Sequence, residues 1–246
     1  WKAQNENNYL SFGMYRNKFK VKVLFFGRQE CDASKEILSL IQKKGFDVTY
    51  IQSKSRGQKL PDSAYEWDGD YIICFRTLYI LPDALLAKAR IAAINFHPAP
   101  PEYPGSGCIN FALYDEVDAY GVTAHLMSKE IDSGKILEVR RFPVSRQDSL
   151  VTVLKTTHDE LQELCSDFIS KLASEGKGFV ISKLAEYKEV NWVGKARLIR
   201  ELNALQTIEV DIEKSELERI IRSTYIDGFP PKIKIHGYEF HLNLDD

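Results

Sequence analysis

The run at residues 91–107, IAAINFHPAPPEYPGSG, leads an apolar segment straight into a stiff loop, and few folds accommodate that junction. The first half is strand-like. The second holds four of the chain's nine prolines, at 98, 100, 101 and 104. Proline fixes φ and keeps the residue before it extended, so the loop has few accessible shapes. The strand must therefore stop at a rigid wall, and it stops with two polar side chains, Asn95 and His97. Residues two apart in a strand share a face. An amide donor and an imidazole thus address one volume at a strand's C-terminal end, where open α/β sheets place their ligands.

Around this junction the chain reads as an open α/β unit. Val21–Phe26 (VKVLFF) is an unbroken apolar run, the pattern of a strand covered on both faces. Ala33–Lys44 carries Ile37, Leu38 and Ile41 at helical spacing and stops at Gly45. Asp47–Gln52 and Tyr71–Phe75 read as further strands on either side of a polar loop, and Pro82–Ala89 as a short helix with proline in its first turn. A helix over Gly107–Tyr114, strands at Gly121–Ser128 and Lys135–Val144, and a long amphipathic helix at Ser149–Ala173 follow. Beyond Lys183 the segments shorten. Strand-like pieces are expected at Val190–Val193, Ile208–Val210 and Ile233–Ile235, helices at Lys195–Leu205 and Ser215–Thr224, and a hairpin turn at His236-Gly237-Tyr238.

The expected fold is therefore α/β and Rossmann-like: a twisted, mostly parallel sheet flanked by helices, with a small C-terminal α+β appendage containing a hairpin. Residues 14–190 are expected to form the main domain, and residues 191–246 a small region serving dimerisation and the substrate edge. Residues 1–13 are polar and lack the apolar segment of a signal peptide, so they are expected to be a leader or an expression remnant.

Several function classes are disfavoured. The turn after the first strand, Gly27-Arg-Gln-Glu-Cys-Asp, has one glycine, whereas a dinucleotide or P-loop cradle needs several; NAD, FAD and P-loop nucleotides are not expected. The formal net charge is −2, and residues 191–246 hold eight basic against ten acidic residues, so a nucleic-acid partner is not expected. No apolar run reaches the ~18 residues of a membrane span. Cys31, Cys74, Cys108 and Cys165 are far apart, without metal-ligand spacing. They are expected to be small buried residues of a reducing cytosol, with no metal.

Asp132 completes the chemical set. It lies in the turn Ile131-Asp-Ser-Gly134, directly after a predicted strand. If that strand neighbours the one ending at Asn95 and His97, the carboxylate reaches the imidazole, favours its charged form and fixes its ring. The Asn95 amide offers an uncharged N–H to a developing oxyanion. No Ser or Cys is spaced for activation by His97, so the set suits acyl transfer to an amine without a protein nucleophile. Spacing alone leaves the plainer alternatives open: Asn95 capping a strand end, and a structural histidine beside a proline.

The motifs NFHPAPPEYPGSG, GVTAHLM and IDSGKI, in that order over roughly residues 21–145, resemble the folate-dependent formyltransferase family. That family's signature is Asn-x-His in a proline-rich loop, followed by a catalytic Asp in a D-[ST]-G turn. The resemblance implies catalytic roles for Asn95, His97 and Asp132, and N10-formyltetrahydrofolate as co-substrate. His125, on the strand leading to Asp132, has two readings: a residue that orients Asp132, or a half-buried strand residue. The resemblance places the pterin near the segment Cys74–Leu81 and the loop before Asp132, with Phe75, Leu78, Ile80 and Met127 as lining.

The acceptor is read from differences within the family. The short acidic tail is unlike the C-terminal barrel of methionyl-tRNA formyltransferases. The Gly27-Arg-Gln-Glu turn is unlike the phosphate loop of glycinamide ribonucleotide formyltransferases. The wording of the proline loop is most similar to sugar N-formyltransferases acting on dTDP-4-amino-4,6-dideoxyhexoses, with dTDP-Qui4N favoured. This implies a cytoplasmic homodimer joined through C-terminal elements and serving O-antigen or other surface polysaccharide synthesis. Arg76, directly after an apolar strand, is the candidate for the pyrophosphate, against an exposed arginine. Tyr103 and Gly105 are candidates for the sugar. Trp192 or Tyr225 is the candidate for the thymine, against a core or interface aromatic. The alternatives in function are another amine acceptor, UDP-4-amino-arabinose or methionyl-tRNA, and hydrolysis of formyl-folate.

Overall fold

Apolar runs buried on both faces set the order of the main sheet. The structure is a computed structural model and describes residues 20–244; the leader reading of residues 1–13 lies outside them. The first half of the chain alternates β1 (Lys22–Arg28), α1 (Asp32–Lys43), β2 (Asp47–Ser53), α2 (Asp62–Glu66), β3 (Gly69–Phe75), α3 (Asp83–Leu86) and β4 (Ala89–His97). Next come α4 (Cys108–Tyr114), β5 (Ala119–Leu126), β6 (Ile136–Pro143), α5 (Leu150–Glu175) and α6 (Lys177–Glu186). The C-terminal region holds α7 (Ile199–Leu205), β7 (Thr207–Ile208), α8 (Lys214–Thr224), β8 (Lys232–Ile235) and β9 (Tyr238–His241).

Six strands form one sheet in the order β2-β1-β3-β4-β5-β6, and β7-β8-β9 form a second, small one. β2, β1, β3 and β4 run parallel, while β5 and β6 join by antiparallel pairing. This is the expected Rossmann-like, mostly parallel α/β sheet with a C-terminal hairpin. Side-chain alternation gives it two cores. Phe25, Ile73, Phe75, Ile94 and Phe96 face Ile37 and Ile41 of α1 and Leu164 and Phe168 of α5. Leu24, Phe26, Ile72 and Cys74 face Leu60, Trp67, Leu81 and Leu85 on the other side. Phe96 meets Phe168 edge-on at 5.6 Å. Its neighbours Asn95 and His97 therefore point away from α5, together, as strand periodicity requires. All four cysteines are free and buried.

Some local expectations change. The polar loop before β3 contains the short helix α2, and α6 extends the helical layer beyond α5. Residues 190–193 form no strand, and the helix expected from Lys195 begins only at Ile199. The reason is tertiary. The Val193 N–H donates to the Pro101 carbonyl and the Arg197 N–H to the Pro104 carbonyl, which draws this segment out along the proline loop. Beyond it the C-terminal region stays attached to the main sheet through α8. The Asn110 amide donates to the Ser223 carbonyl, and the Arg222 guanidinium donates to the carbonyls of Leu113, Ser145 and Asp148.

Phe168 is 1% exposed and its ring lies between those of Phe96 and Phe179. Phe168→Ala is expected to lower the unfolding free energy by about 3–5 kcal/mol, measured by urea denaturation. A change under about 1 kcal/mol would show that this layer does not hold the sheet.

Candidate active site

Three strand ends and one turn supply the site. β4 delivers Asn95 and His97, and its antiparallel pairing with β5 sets His125 directly opposite Asn95. The turn beyond β5 brings in Asp132. Its Oδ2 lies 3.3 Å from His97 Nδ1, and its Oδ1 lies 3.4 Å from His125 Nε2. The Gly105 N–H donates to Asp132 Oδ2 at 2.8 Å. His97 Nε2 faces the Tyr103 carbonyl at 3.1 Å, and His125 Nδ1 faces the Leu126 carbonyl at 2.8 Å. The Asn95 amide nitrogen is 3.1 Å from His125 Nε2. His97, His125 and Asp132 are all buried.

Two glycines let the backbone close around Asp132. A Cβ on Gly134 would stand 1.8 Å from the Leu126 carbonyl oxygen, and one on Gly105 would stand 2.4 Å from the Arg197 backbone. Asp132 itself takes a left-handed conformation with φ 46°, and so does Arg76 with φ 54°. Non-glycine residues held there store strain, which accumulates at functional positions.

The electrostatics follow from the partners. A carbonyl only accepts, so His97 Nε2 carries a proton; with a carboxylate at Nδ1 both ring nitrogens donate. Burial opposes the charged ring. The Asp132 carboxylate outweighs it, together with the Cys108 thiol and the Tyr103 carbonyl, and holds the His97 pKa at about 9. For Asp132, burial pushes upward, but His97, then His125, then the Gly105 N–H hold the pKa down at about 2. The site is therefore an imidazolium–carboxylate pair at neutral pH, with His97 as the proton donor.

Two cavities meet at Asn95, Gly105 and Asp132. One, about 530 Å³, is walled mainly by apolar groups, among them Leu78, Ile80, Met127, Ile131 and Leu198, and takes in His125. The other, about 490 Å³, takes in His97, Arg28, Arg56, Arg76 and His158. Among the described residues no ion pair engages Arg28, Arg56 or Arg76. Burial lowers the His158 pKa to about 4, with the Arg76 and Arg28 cations pushing the same way against Asp159. The second cavity is thus lined by cations. No group of three or more metal-ligating side chains occurs among the described residues.

The structure sorts the residues singled out in the sequence. Asn95, His97, Asp132 and His125 come together. Leu78, Ile80 and Met127 line the first cavity, Arg76 the second, and Gly105 both. Three assignments are corrected. Phe75 is fully buried in the core facing α1 and α5, because strand alternation turns its neighbour Cys74, not Phe75, toward the first cavity. The Tyr103 ring packs against Tyr120 and its hydroxyl donates to Asp115, so only its carbonyl reaches the site. Trp192 lines neither cavity. Its ring stands edge-on to His125 and His97, with centroids 4.9 and 5.6 Å away. The alternative aromatic, Tyr225, lines neither cavity as well.

Sequence reasoning passed over Arg28, Arg56, His158 and the segment Ala196–Arg200, which walls the first cavity. Arg28 ends the buried strand β1 just as Arg76 follows β3, so the signal that marked one marks the other. Arg56 and residues 196–200 lie far away in the chain, and only the fold brings them in.

This sheet, with an amide, an imidazole and a carboxylate gathered beyond its strand ends, defines an α/β protein built around an Asn–His–Asp cluster. The chain belongs to the formyl transferase family, whose model matches residues 19–169. A methionyl-tRNA formyltransferase of Limosilactobacillus fermentum is 29% identical over 147 residues, 59% of this chain and 46% of that protein. One from Staphylococcus aureus is 28% identical over 123 residues, 50% of this chain and 38% of that protein. This chain thus spans less than half the length of these curated relatives. Solved structures match over nearly all of it. A sugar N-formyltransferase from Shewanella sp FDAARGOS_354 has a TM-score of 0.69 at 20% identity, over 91% of this chain and 97% of its own. A 4-N formyltransferase from Francisella tularensis has a TM-score of 0.69 at 15% identity, over 92% and 97%. An N-formyltransferase from Helicobacter canadensis, solved with folinic acid and dTDP-3-aminofucose, has a TM-score of 0.61 at 16% identity, over 89% and 85%. At these identities the likeness is one of fold.

The ion pair has a pH signature. The His97 pKa is raised from 6.5 to about 9, so its stabilisation is whole below about pH 6.5 and drains as pH rises through about 9. The Asp132 pKa is lowered from 3.8 to about 2, so its stabilisation is present above about pH 3.8 and is lost as pH falls through about 2. Between pH 6.5 and about 9, the wild-type Tm is therefore expected to fall further than that of Asp132→Asn in scanning calorimetry. Parallel Tm slopes would show that the two groups are not coupled.

Proposed function

We propose that this protein transfers a formyl group from N10-formyltetrahydrofolate to the amino group of a nucleotide-linked amino sugar. The observation that carries this reading is the junction of two cavities of opposite character over Asn95 and Asp132. The apolar cavity suits a flat pterin, gripped by Leu78, Ile80 and Met127 and reached by backbone groups. The other cavity sets three guanidiniums where a diphosphate would lie, the geometry in which arginine binds phosphate best. A donor and an anionic acceptor approaching from opposite sides meet at the polar cluster. The Helicobacter canadensis protein, crystallised with a folate and a dTDP-amino sugar, supports this pairing of ligands. Within the class, a dTDP-4-amino-4,6-dideoxyhexose is the favoured acceptor, dTDP-Qui4N first, with a product that serves O-antigen or other surface polysaccharide from the cytoplasm.

The chemistry follows from the protonation states. The neutral acceptor amine attacks the formyl carbon, and the Asn95 N–H stabilises the oxyanion that develops. The nitrogen becomes acidic as it bonds. Asp132 takes its proton, directly or through one water, while the His97 imidazolium gives a proton to N10 of the departing folate. Proton transfer from Asp132 to His97, 3.3 Å apart, restores both groups. His97 therefore begins as the acid, and Asp132 as the base.

The test is tetrahydrofolate release with purified protein and formyl-folate, with dTDP-Qui4N, UDP-4-amino-arabinose, methionyl-tRNA or no acceptor. Release that depends on the dTDP-sugar is expected, and Asn95→Ala is expected to lower kcat by about 10²–10³-fold with its circular dichroism unchanged. Release without acceptor would make the protein a hydrolase, and release only with tRNA would reassign the acceptor.

A homodimer joined through the C-terminal hairpin belongs to the same reading. Ile233 pairs with Phe240 and Ile235 with Tyr238, so these four side chains share one face. Tyr238 and Phe240 on that face are 73% and 56% exposed. A second copy laid against it removes that apolar surface from water. Sedimentation is expected to give a dimer for the wild type and a monomer for Tyr238→Glu/Phe240→Glu; an unchanged mass for the double variant would place the interface elsewhere.

A further inference from the structure

We propose that Trp192, on the segment that enters the C-terminal region, is a positioning residue that holds the His97–Asp132–His125 cluster in its reactive arrangement. The proposal rests on the formyl-transfer reading of that cluster.

Three contacts of one side chain carry it. The Trp192 indole N–H donates to the Gly134 carbonyl at 2.8 Å. Gly134 lies two residues after Asp132, and on its other side it presses against the Leu126 carbonyl, where no Cβ fits. The turn that presents Asp132 is thus clamped between the end of β5 and the indole. The same ring stands nearly perpendicular to both imidazoles, at 86° to His125 and 73° to His97. It walls both rings along one edge.

The neighbours of Trp192 hold the other half of the site. The Val193 N–H donates to the Pro101 carbonyl, the Arg197 N–H to the Pro104 carbonyl, and the Ser106 N–H to the Arg197 carbonyl. The Arg197 guanidinium lies over the Phe111 ring, 3.9 Å from its centroid. These bonds bracket Tyr103 and Gly105, whose carbonyl and N–H bind His97 and Asp132. A single strap, residues 192–197, therefore ties down both loops that meet at the ion pair. Trp192 is the member of it that touches the histidines.

The ring also separates solvent from the pair. A cavity of about 880 Å³ lies on its far side, lined by Asp132, Gly134, Trp192 and Lys195 but by neither histidine. Removing the indole joins that space to the imidazole edges and lets water in. Water weakens the attraction between buried charges. The groups that face His97 are Asp132 from the turn, His125 from β5 and Cys108 from α4, and all keep their identity in Trp192 variants.

The test compares Trp192→Leu, which removes wall and donor, with Trp192→Phe, which keeps an aromatic wall. For each, kcat and KM are measured for both substrates, and the His97 ring is titrated by NMR in the protein without ligands. Trp192→Leu is expected to lower kcat about 10- to 100-fold with both KM values within about threefold, as displacement of reacting groups does. The His97 titration is expected to move toward 6.5 in Trp192→Leu and to recover most of the way in Trp192→Phe. An unmoved titration in a folded Trp192→Leu protein overturns the proposal, and so does a loss confined to KM. The titration needs no acceptor, so it decides the role of Trp192 even if the formyl-transfer assay fails for the wild type.

Discussion

The buried attraction between Asp132 and His97 is the interaction on which the site depends. Removing two charges from water is unfavourable, and their pairing compensates only when the remaining protons and lone pairs are also met. Here they are met. The Gly105 N–H binds the carboxylate, the Tyr103 carbonyl takes the second imidazole proton, and His125 stands against the free carboxylate oxygen. Each of these partners comes from a different segment. The pair is therefore a readout of the whole arrangement: β4 beside β5, the proline loop folded back, the Asp132 turn closed.

Rigidity at the two loops has two sources of opposite kind. Prolines stiffen residues 98–104 by removing conformations. Glycines at 105 and 134 permit approaches that a side chain forbids, one to the Arg197 backbone and one to the Leu126 carbonyl. Between them Asp132 is held at positive φ, strained, with its carboxylate aimed at the histidines. Such a geometry persists only where the surroundings over-determine it. The segment from Trp192 to Arg197 supplies much of that determination, which makes the C-terminal region part of the site's construction as well as a separate small sheet.

The strand order explains why two unlike cavities share one polar junction. β1, β3 and β4 are parallel neighbours, so their C-terminal ends stand in a row. Arg28, Arg76 and the Asn95–His97 pair are the residues at those ends. Cations thus line one side of the cluster, while the loop after β3 and the strap wall the apolar cavity on the other. The crossover from parallel to antiparallel pairing at β4–β5 places His125 opposite Asn95.

Much of this was legible in one dimension. Continuous apolar runs marked the buried strands, period-2 alternation put Asn95 and His97 on one face, and prolines marked a stiff loop, because all three are properties of neighbours along the chain. Alternation also held the clue that Phe75 belongs to the core, since it shares a face with Ile73 and Phe96 packs beside it in register. What the sequence by itself determined was therefore the type of fold, the strand end and the identity of the polar trio. The tertiary structure alone decided the protonation of His97, the convergence of Arg28, Arg56 and Arg76, and the turn of Trp192 from a ligand-stacking candidate to a wall behind the histidines. These depend on distances between segments up to about a hundred residues apart, and such distances are set by packing and strand pairing, which no local pattern encodes.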